Sequence, residues 1–278
     1  MSGGFRHLAR SAAASSRLLA RTGIVLAAVV GYFAVRGLTH SSRAEALRNA
    51  ARIEGAEHLL RLDREFWLQD HVVHEHAVTR ILNWIYIFGH WPVIALTLIW
   101  LLTRHPDLYV RAAGAMLVSG TAGLIAFAAF PVAPPRLAGL GMTDTVTQQS
   151  AAYRLLQPPA FTNQYAAMPS LHVGWNLLMT LAILAATRRA WLRVMAVTLT
   201  VAMDTAVVLT ANHYLLDALA GAALAHIGWY AAGQFQHHRD RRGTSTADSS
   251  GLPPSGAVLP VQADRRSRAA SAPGWGTQ

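Results

Sequence analysis

The stretch HYLLDALAGAALAHIGWYAA, residues 213–232, decides the fold of this chain. From Leu215 onwards it is an apolar run, close to the roughly 20 residues that a helix needs to cross a membrane. A histidine and a carboxylate, His213 and Asp217, stand four residues apart at its start. Because ionisable groups at membrane depth are costly, this combination indicates a membrane helix with a functional site at one end.

Further apolar runs predict an all-α fold, a polytopic membrane helix bundle with about six transmembrane helices. The stronger runs cover residues 81–102, 112–130, 171–186, 191–209 and 215–232. A weaker run, residues 22–38, follows a basic segment, residues 1–21, and is predicted to be the first transmembrane helix or a signal anchor. The composition agrees, because 53% of the residues are hydrophobic and only 14% are charged, whereas soluble domains carry about a quarter charged residues.

The remaining segments have other patterns. Residues 42–76 place apolar side chains near helical spacing between Arg and Glu. This pattern predicts an amphipathic helix at the membrane interface or, equally, a solvated helix that packs on the bundle. Residues 131–169 are rich in Pro, Gly, Thr and Gln and predict a long loop. Residues 236–278 are rich in Ser, Gly, Pro and Arg and predict a disordered cytoplasmic tail.

The distribution of charge predicts the orientation. All 24 basic residues are arginines, which cluster at the ends of apolar runs and in the terminal segments. Membrane proteins that obey the positive-inside rule show this distribution, so we interpret the net charge of +10 as topology and expect no nucleic-acid partner. The rule predicts a multi-pass protein of the cell membrane with the N- and C-termini in the cytoplasm and the long loop outside. The absence of cysteine excludes disulfides and thiolate metal sites.

In this topology a set of polar residues meets at the outer face: Arg136, Ser170, His172, His213 and Asp217. His213 and Asp217 would share one face of a helix, where a carboxylate fixes the tautomer of an imidazole and raises its basicity. That arrangement prepares a nucleophile or a base. The alternative is a pair at a helix start whose members only satisfy each other.

Ser170 and His172 are two residues apart, so they would not face each other on a regular helix, which argues against a serine-hydrolase pair. Pro169 before them suits the first turn of a helix, where free N–H groups favour an anion such as phosphate. Ser170 as a simple helix cap is the alternative. Arg136, after two prolines in the loop, suits bidentate phosphate binding or ordinary headgroup contact.

These residues lie in strings that resemble motifs of the type 2 phosphatidic acid phosphatase superfamily. The closest resemblance is to its inositol phosphorylceramide synthase-like (inositolphosphotransferase) branch, and it covers roughly residues 81–232. The matching strings are Ala133-Pro134-Pro135-Arg136-Leu137, Met168-Pro169-Ser170-Leu171-His172-Val173 and Asn212-His213-Tyr214-Leu215-Leu216-Asp217-Ala218-Leu219-Ala220-Gly221.

The resemblance implies a role for each residue. His213 would attack phosphorus and become a phosphohistidine, with Asp217 orienting it. His172 would protonate the leaving oxygen, and Arg136 and Ser170 would bind phosphate oxygens. It implies no metal and no cofactor, and a lipid phosphate or phosphoinositol lipid as the substrate. The activity would be that of a phosphatase or of a phospho-headgroup transferase, at a site facing outside.

Two positions depart from the superfamily pattern. A lysine seven residues before the motif arginine is replaced by Ala129, and an arginine six residues before the nucleophilic histidine is replaced by Val207. They motivate an alternative hypothesis, a catalytically silent membrane protein that binds lipid phosphate. A further alternative is a metal-dependent hydrolase that uses His90, His172, His213 and Asp217. The oligomeric state stays unknown.

Overall fold

A computed structural model describes residues 23, 42–150, 153 and 163–249 of the chain. The basic segment, residues 1–21, and the predicted first transmembrane helix, residues 22–38, lie outside the described residues except for Gly23. The chain divides into two units, Met1–His237 and His238–Gln278. In the second unit the described part is the continuation of the last helix as far as Ser249.

The described residues are helical, which confirms the all-α prediction. They contain no strand, and an isolated β-bridge joins Val132 to Ala166. The helices are α1 Arg43–Leu60, α2 Glu65–Val73, α3 His76–Phe88, α4 Trp91–Arg104, α5 Pro106–Ala129, α6 Thr145–Gln149, α7 Leu171–Ala186, α8 Ala190–Leu209 and α9 Leu215–Ser249, with a 3-10 turn at Pro135–Leu137.

The described part of the chain contains 3 helices long and apolar enough to cross a membrane: α5, α8 and residues Leu215–His238 of α9. Helices α3 and α4 meet at a bend of 43° and count as a fourth span if they act as one. Helix α7 is apolar but has only 16 residues. The helical membrane architecture is therefore clear, whereas the six spans remain a prediction.

The apolar surface of these helices agrees with a membrane setting. Large apolar side chains point away from the protein on several of them, among them Leu96, Ile99, Ile125, Val194, Val201 and Ile227. Extended apolar surface of this kind is rare on soluble monomers and is suited to contact with lipid chains. The interior is built around α7, which packs against α4, α5 and α8.

Residues 42–76 do not form one continuous helix. Helix α1 ends where Arg61 adopts a left-handed conformation with φ of 60°, and α2 begins again at Glu65. The buried stripe of α1 combines small, polar and apolar residues: Ala46, Asn49, Ala50, Ile53 and Glu57. This stripe packs against the loop after α5, where Asn49 donates a hydrogen bond to the Pro131 carbonyl. Helix α1 therefore packs on the protein through this face, as in the second of the two interpretations.

Two other segments differ from their predictions. The loop at residues 131–169 contains the 3-10 turn and helix α6 among its described residues. The tail predicted to be disordered from residue 236 is helical as far as Ser249, and the rest of it lies outside the described residues. Extending an existing helix by one residue costs far less than nucleating a new one, so a polar segment can continue an apolar helix.

Glycines allow α7 and α9 to approach closely. A Cβ atom on Gly221 would overlap the main-chain oxygen of Ser170, and a Cβ on Gly174 would lie 2.8 Å from the oxygen of Gly221. At this crossing the main-chain N–H of Ser170 donates to the carbonyl of Asp217 at 2.9 Å. The contact brings together the two sequence motifs that begin these helices.

Candidate active site

His213 lies in the short connection between α8 and α9. Ala211, with φ of 56°, turns the chain after α8, and the N–H of His213 donates to the Val207 carbonyl at 3.1 Å. The Nδ1 atom of His213 lies 2.8 Å from the main-chain oxygen of Ala167. A carbonyl oxygen can only accept, so Nδ1 carries a proton, and in the neutral ring the lone pair is on Nε2.

Asp217 lies within ion-pair distance of His213. Its Oδ2 atom is 3.5 Å from His213 Nδ1, and it accepts the main-chain N–H of Tyr214 at 3.0 Å. The carboxylate is fully buried, and its Oδ1 has no hydrogen-bond partner among the described residues. Because α9 begins only at Leu215, the two side chains meet across a helix start and not on a helix face.

His172 occupies the first turn of α7. Its ring centroid lies 5.8 Å from that of His213 and 4.8 Å from that of Tyr86, on which it stacks at 25°. His172 is partly exposed, whereas His213 and Tyr86 are buried. The structure therefore brings the two motif histidines to one place, with the more accessible ring on α7.

Ser170 is the N-cap of α7. Its Oγ accepts the N–H of Val173 at 3.5 Å, and the residue is fully buried beneath the crossing with α9. Pro169 precedes this cap, so it stands just before the first turn. Ser170 thus has the capping role that the sequence left open, at the helix terminus next to His172.

Arg136 lies in the 3-10 turn and is joined to the His213 loop. Its main-chain N–H donates to the Ala211 carbonyl at 3.0 Å, and its Nε lies 3.2 Å from Oδ2 of Asp144. Asp144 is also the N-cap of α6, since its Oδ1 accepts the N–H of Thr147 at 2.9 Å. Sequence reasoning missed Asp144, which has no motif around it.

Two further carboxylates stand at the start of α9. Glu57 of α1 accepts the N–H of Leu216, and Glu65 of α2 accepts the N–H of Leu215, each at 2.8 Å. A helix N-terminus offers unsatisfied N–H groups and the positive end of the helix dipole, which favour such acceptors. Burial, reinforced by Glu65 and Asp217, raises the pKa of Glu57 to about 8, although its hydrogen bond from Leu216 acts in the opposite direction.

Tyr214, between His213 and the start of α9, is packed among these carboxylates. It is only 2% exposed, and its hydroxyl has no hydrogen-bond partner among the described residues. Burial, followed by the charge of Asp217, raises the pKa of this hydroxyl. Tyr214 is therefore a neutral core residue of the α1 contact.

A cavity of about 230 Å³ lies beside the α3 terminus. Its lining is formed by His76, Arg80, Asn83, Trp84, Gln149 and Ser150. Asn83 is held by Thr145, with which it exchanges hydrogen bonds of 3.0 Å. Asn83 is three residues before Tyr86, which is about one turn along α3. The lining of the cavity contains none of the site residues predicted from the sequence.

The structure shows where the two departures from the superfamily pattern lie, and it describes Asn212 but not Arg154, two polar residues that could compensate for the missing cations. Ala129 ends α5, and Val207 is fully buried in α8 with its carbonyl accepting the N–H groups of Asn212 and His213. The side chain of Asn212 donates a hydrogen bond of 2.8 Å to the hydroxyl of Thr210. It therefore stabilises the connection between α8 and α9. Arg154 lies outside the described residues. Among the described residues, no group of three or more His, Cys, Asp or Glu side chains is arranged to hold a metal ion.

Comparison with known proteins gives a family match. The model of a family described as the PAP2 superfamily matches residues 51–231, which include α9 as far as Ala231 and both histidine motifs. No curated protein and no solved structure matches the chain. The match is to the superfamily as a whole and does not select one of its branches.

Proposed function

The chain belongs to the PAP2 superfamily, and on this premise we propose that it is an integral membrane enzyme of lipid phosphate metabolism that works through a phosphohistidine. Membership of the superfamily and the apolar helices support a phosphatase-type membrane protein. The finer assignment, a lipid phosphate phosphatase or a phospho-headgroup transferase such as an inositolphosphotransferase, is our proposal.

The observation that carries it is the environment of His213. Its Nδ1 is held by the Ala167 carbonyl at 2.8 Å, with the Asp217 carboxylate 3.5 Å away. The ring therefore presents Nε2 with its lone pair as the nucleophilic atom. The buried carboxylate stabilises the positive charge that the ring acquires when Nε2 forms a bond to phosphorus.

The reaction then proceeds in two steps. Nε2 of His213 attacks phosphorus, the bond from phosphorus to the leaving oxygen breaks, and His172 gives that oxygen a proton. An oxygen nucleophile then attacks phosphorus and passes its proton to His172, and the P–N bond breaks to restore His213. Water as the nucleophile gives a phosphatase, and an alcohol gives a transferase.

Binding of the phosphate is assigned to Arg136 and to the α7 terminus at Ser170. The guanidinium would compensate charge on the transferring group, as a metal ion does in other phosphoryl-transfer enzymes. We propose that no metal takes part. Ala129 and Val207 stand where the superfamily has cations. Arg136 must therefore compensate more of the phosphate charge than it would if those two cations were present.

The proposed setting follows from the charge pattern. Six spans with both termini in the cytoplasm would place the site at the outer face of the cell membrane. Residues at helix ends near the interface can reach headgroups laterally, which supports a lipid phosphate or a phosphoinositol lipid as the substrate.

The experiment is the trapping of a phosphoenzyme. Protein purified in detergent is incubated with ³²P-labelled phosphatidate or a labelled phosphoinositol lipid and quenched. We expect an acid-labile, base-stable label, inhibition of turnover by vanadate and none by EDTA. The label should be lost in His213→Ala and kept in His226→Ala, which changes an exposed histidine of α9. Full turnover by His213→Ala, or loss of turnover on chelation, would contradict the proposal.

The absent cations at Ala129 and Val207 favour a second candidate, a catalytically silent protein that binds lipid phosphate. The same experiment separates the two. A silent protein would bind phosphatidate in micelles but form no labelled intermediate and release no phosphate. Release of phosphate against appearance of a new lipid then separates phosphatase from transferase.

A further inference from the structure

The apolar helix pair α3 and α4 is bent where it passes His172. Helix α3 ends at Phe88, α4 begins at Trp91, and the two meet at 43°. His90 lies at this bend and is only 4% exposed. A buried histidine at a break in an apolar helix pair is costly unless its ring nitrogens are satisfied.

The side chain of Asn176 fixes the state of His90. The Nδ2 group of Asn176 donates one proton to Nδ1 of His90 at 3.0 Å and the other to the main-chain oxygen of His172 at 2.9 Å. Rotating this amide by half a turn would set Oδ1 against the His172 carbonyl, and both atoms are acceptors. Nδ1 of His90 is therefore an acceptor, and the ring is neutral with its proton on Nε2.

The ring of His90 also packs on the ring of His172. Their centroids are 4.5 Å apart, and the Tyr86 ring lies 4.8 Å from the same imidazole. Tyr86 and His90 are four residues apart across the bend. On the other side, His90 stacks on Trp175 of α7 at 6.0 Å and 6°. His172 is thus packed against Tyr86 and His90 at the α3–α4 bend. His90 in turn is packed against Trp175 of α7.

We propose that His90 is a positioning residue for His172, which fixes the orientation in which that imidazole delivers a proton to the leaving oxygen. This inference rests on the proposed function, in which His172 is the general acid. A neutral His90 adds no positive charge next to a ring that must be protonated before each transfer. The Asn176 side chain is hydrogen-bonded both to His90 and to the main chain of His172, so it links the α3–α4 bend to the start of α7.

Leaving-group dependence tests the proposal. An alkyl phosphate such as phosphatidate needs a proton on its leaving oxygen, whereas 4-nitrophenyl phosphate releases a stable phenolate and needs none. For His90→Ala we expect the rate of phosphoenzyme formation from phosphatidate, followed as the burst of released diacylglycerol, to fall by about 10- to 100-fold, because a small misplacement of a catalytic group costs that much. Phosphoenzyme formation from the nitrophenyl ester, followed as the burst of nitrophenolate, should fall by less than about threefold, because this first step needs no proton from His172. The burst is measured because the second step uses His172 for both esters. His172→Ala is the reference and should show the same selectivity.

The matched control is Thr180→Val. Thr180 is a buried polar residue of α7, one turn beyond Asn176, and it is hydrogen-bonded to Thr200 at 2.7 Å. Its loss disturbs the packing of α7 and α8 without removing a group that holds His172, so both esters should be affected equally. An equal fall for both esters in His90→Ala, or no fall for either, would overturn the positioning role.

A second measurement needs no turnover. In protein carrying ¹⁵N-labelled histidine, the His90 resonances should report a neutral ring protonated on Nε2, and Asn176→Leu should shift the resonances of both His90 and His172. A His90 ring protonated on Nδ1, or His172 resonances that ignore both Asn176→Leu and His90→Ala, would refute the inference. Failure to trap a phosphoenzyme in the wild-type protein would instead remove the proposed function, and the spectra would still decide whether His90 holds His172.

Discussion

Glu57 accepts a hydrogen bond of 2.8 Å from the main-chain N–H of Leu216, although the two residues are 159 positions apart. The contact ties α1 to the first turn of α9, at a residue that is three positions after His213 and directly before Asp217. Glu57 is 1% exposed, so the acceptor works in an environment that disfavours its charge. The start of α9 is therefore anchored by a group whose ionisation depends on pH.

The pH dependence of stability should reveal this anchor. The pKa of Glu57 is raised from 4.5 to about 8 in the folded protein, first by burial and then by Glu65 and Asp217, so between these values the folded state holds a proton that the unfolded state has lost. Stability therefore falls as the pH rises through this interval. Glu57→Gln keeps an oxygen acceptor for Leu216 and removes the titration. We expect its melting temperature in detergent to exceed that of the wild type increasingly from pH 5 towards pH 8.

Glu54→Gln is the control, since Glu54 lies on the same helix with an exposed side chain. Its melting temperature should follow the wild-type pH dependence. If Glu57→Gln also follows the wild-type curve at every pH, then Glu57 does not hold a proton in the folded state.

The crossing of α7 and α9 predicts a strict requirement at Gly221. A Cβ there would overlap the Ser170 carbonyl oxygen, and main-chain atoms cannot yield as a flexible side chain would. Gly221→Ala should lower the free energy of unfolding by about 3 kcal/mol, the upper range for overpacking in a close-packed interior. Separation of the helices should also reduce turnover, because Ser170 and His172 belong to the displaced segment.

Gly55→Ala provides the matched change. Gly55 lies in α1, and a Cβ there meets nothing within 4 Å, so the substitution should stabilise the helix by roughly 0.5–1 kcal/mol. Thermal unfolding in detergent compares the two variants directly. Equal stability of Gly221→Ala and the wild type would show that α7 and α9 do not approach as described.

The ion pair of Arg136 with Asp144 predicts an effect on substrate binding. Asp144→Asn removes the charge 3.2 Å from the guanidinium but keeps an oxygen that can accept the Thr147 N–H, so the cap of α6 survives. If Arg136 binds phosphate, losing its orienting partner should raise KM for phosphatidate about fivefold, equivalent to about 1 kcal/mol, with little change in kcat.

Asp63→Asn is the control for this charge change, because Asp63 pairs with His58 on the surface. Its kinetic constants should equal those of the wild type. An unchanged KM in Asp144→Asn would mean that Asp144 does not orient the phosphate-binding group, and Arg136→Ala then tests that group directly.

Part of this architecture could be predicted from local sequence alone. Each apolar run favours a membrane helix through its own composition, and the runs from residue 81 onwards all correspond to helices. The start of α7 was foreseen in the Pro169 and Ser170 dipeptide, because a helix cap depends on a few adjacent residues. The local sequence does not predict where helices are interrupted, because the break at Arg61 and the bend at His90 depend on contacts with distant segments.

The sequence by itself determined the class of the protein, a helical membrane bundle, and the candidate residues of its site, because hydrophobicity and motif spacing are properties of short segments. Tertiary structure alone decided how those groups are held. The hydrogen bond from His213 goes to the Ala167 carbonyl, Arg136 pairs with Asp144, and Glu57 reaches Leu216. Such partners are chosen by the way helices cross, and a one-dimensional pattern contains no record of which main-chain groups a crossing brings within 3 Å.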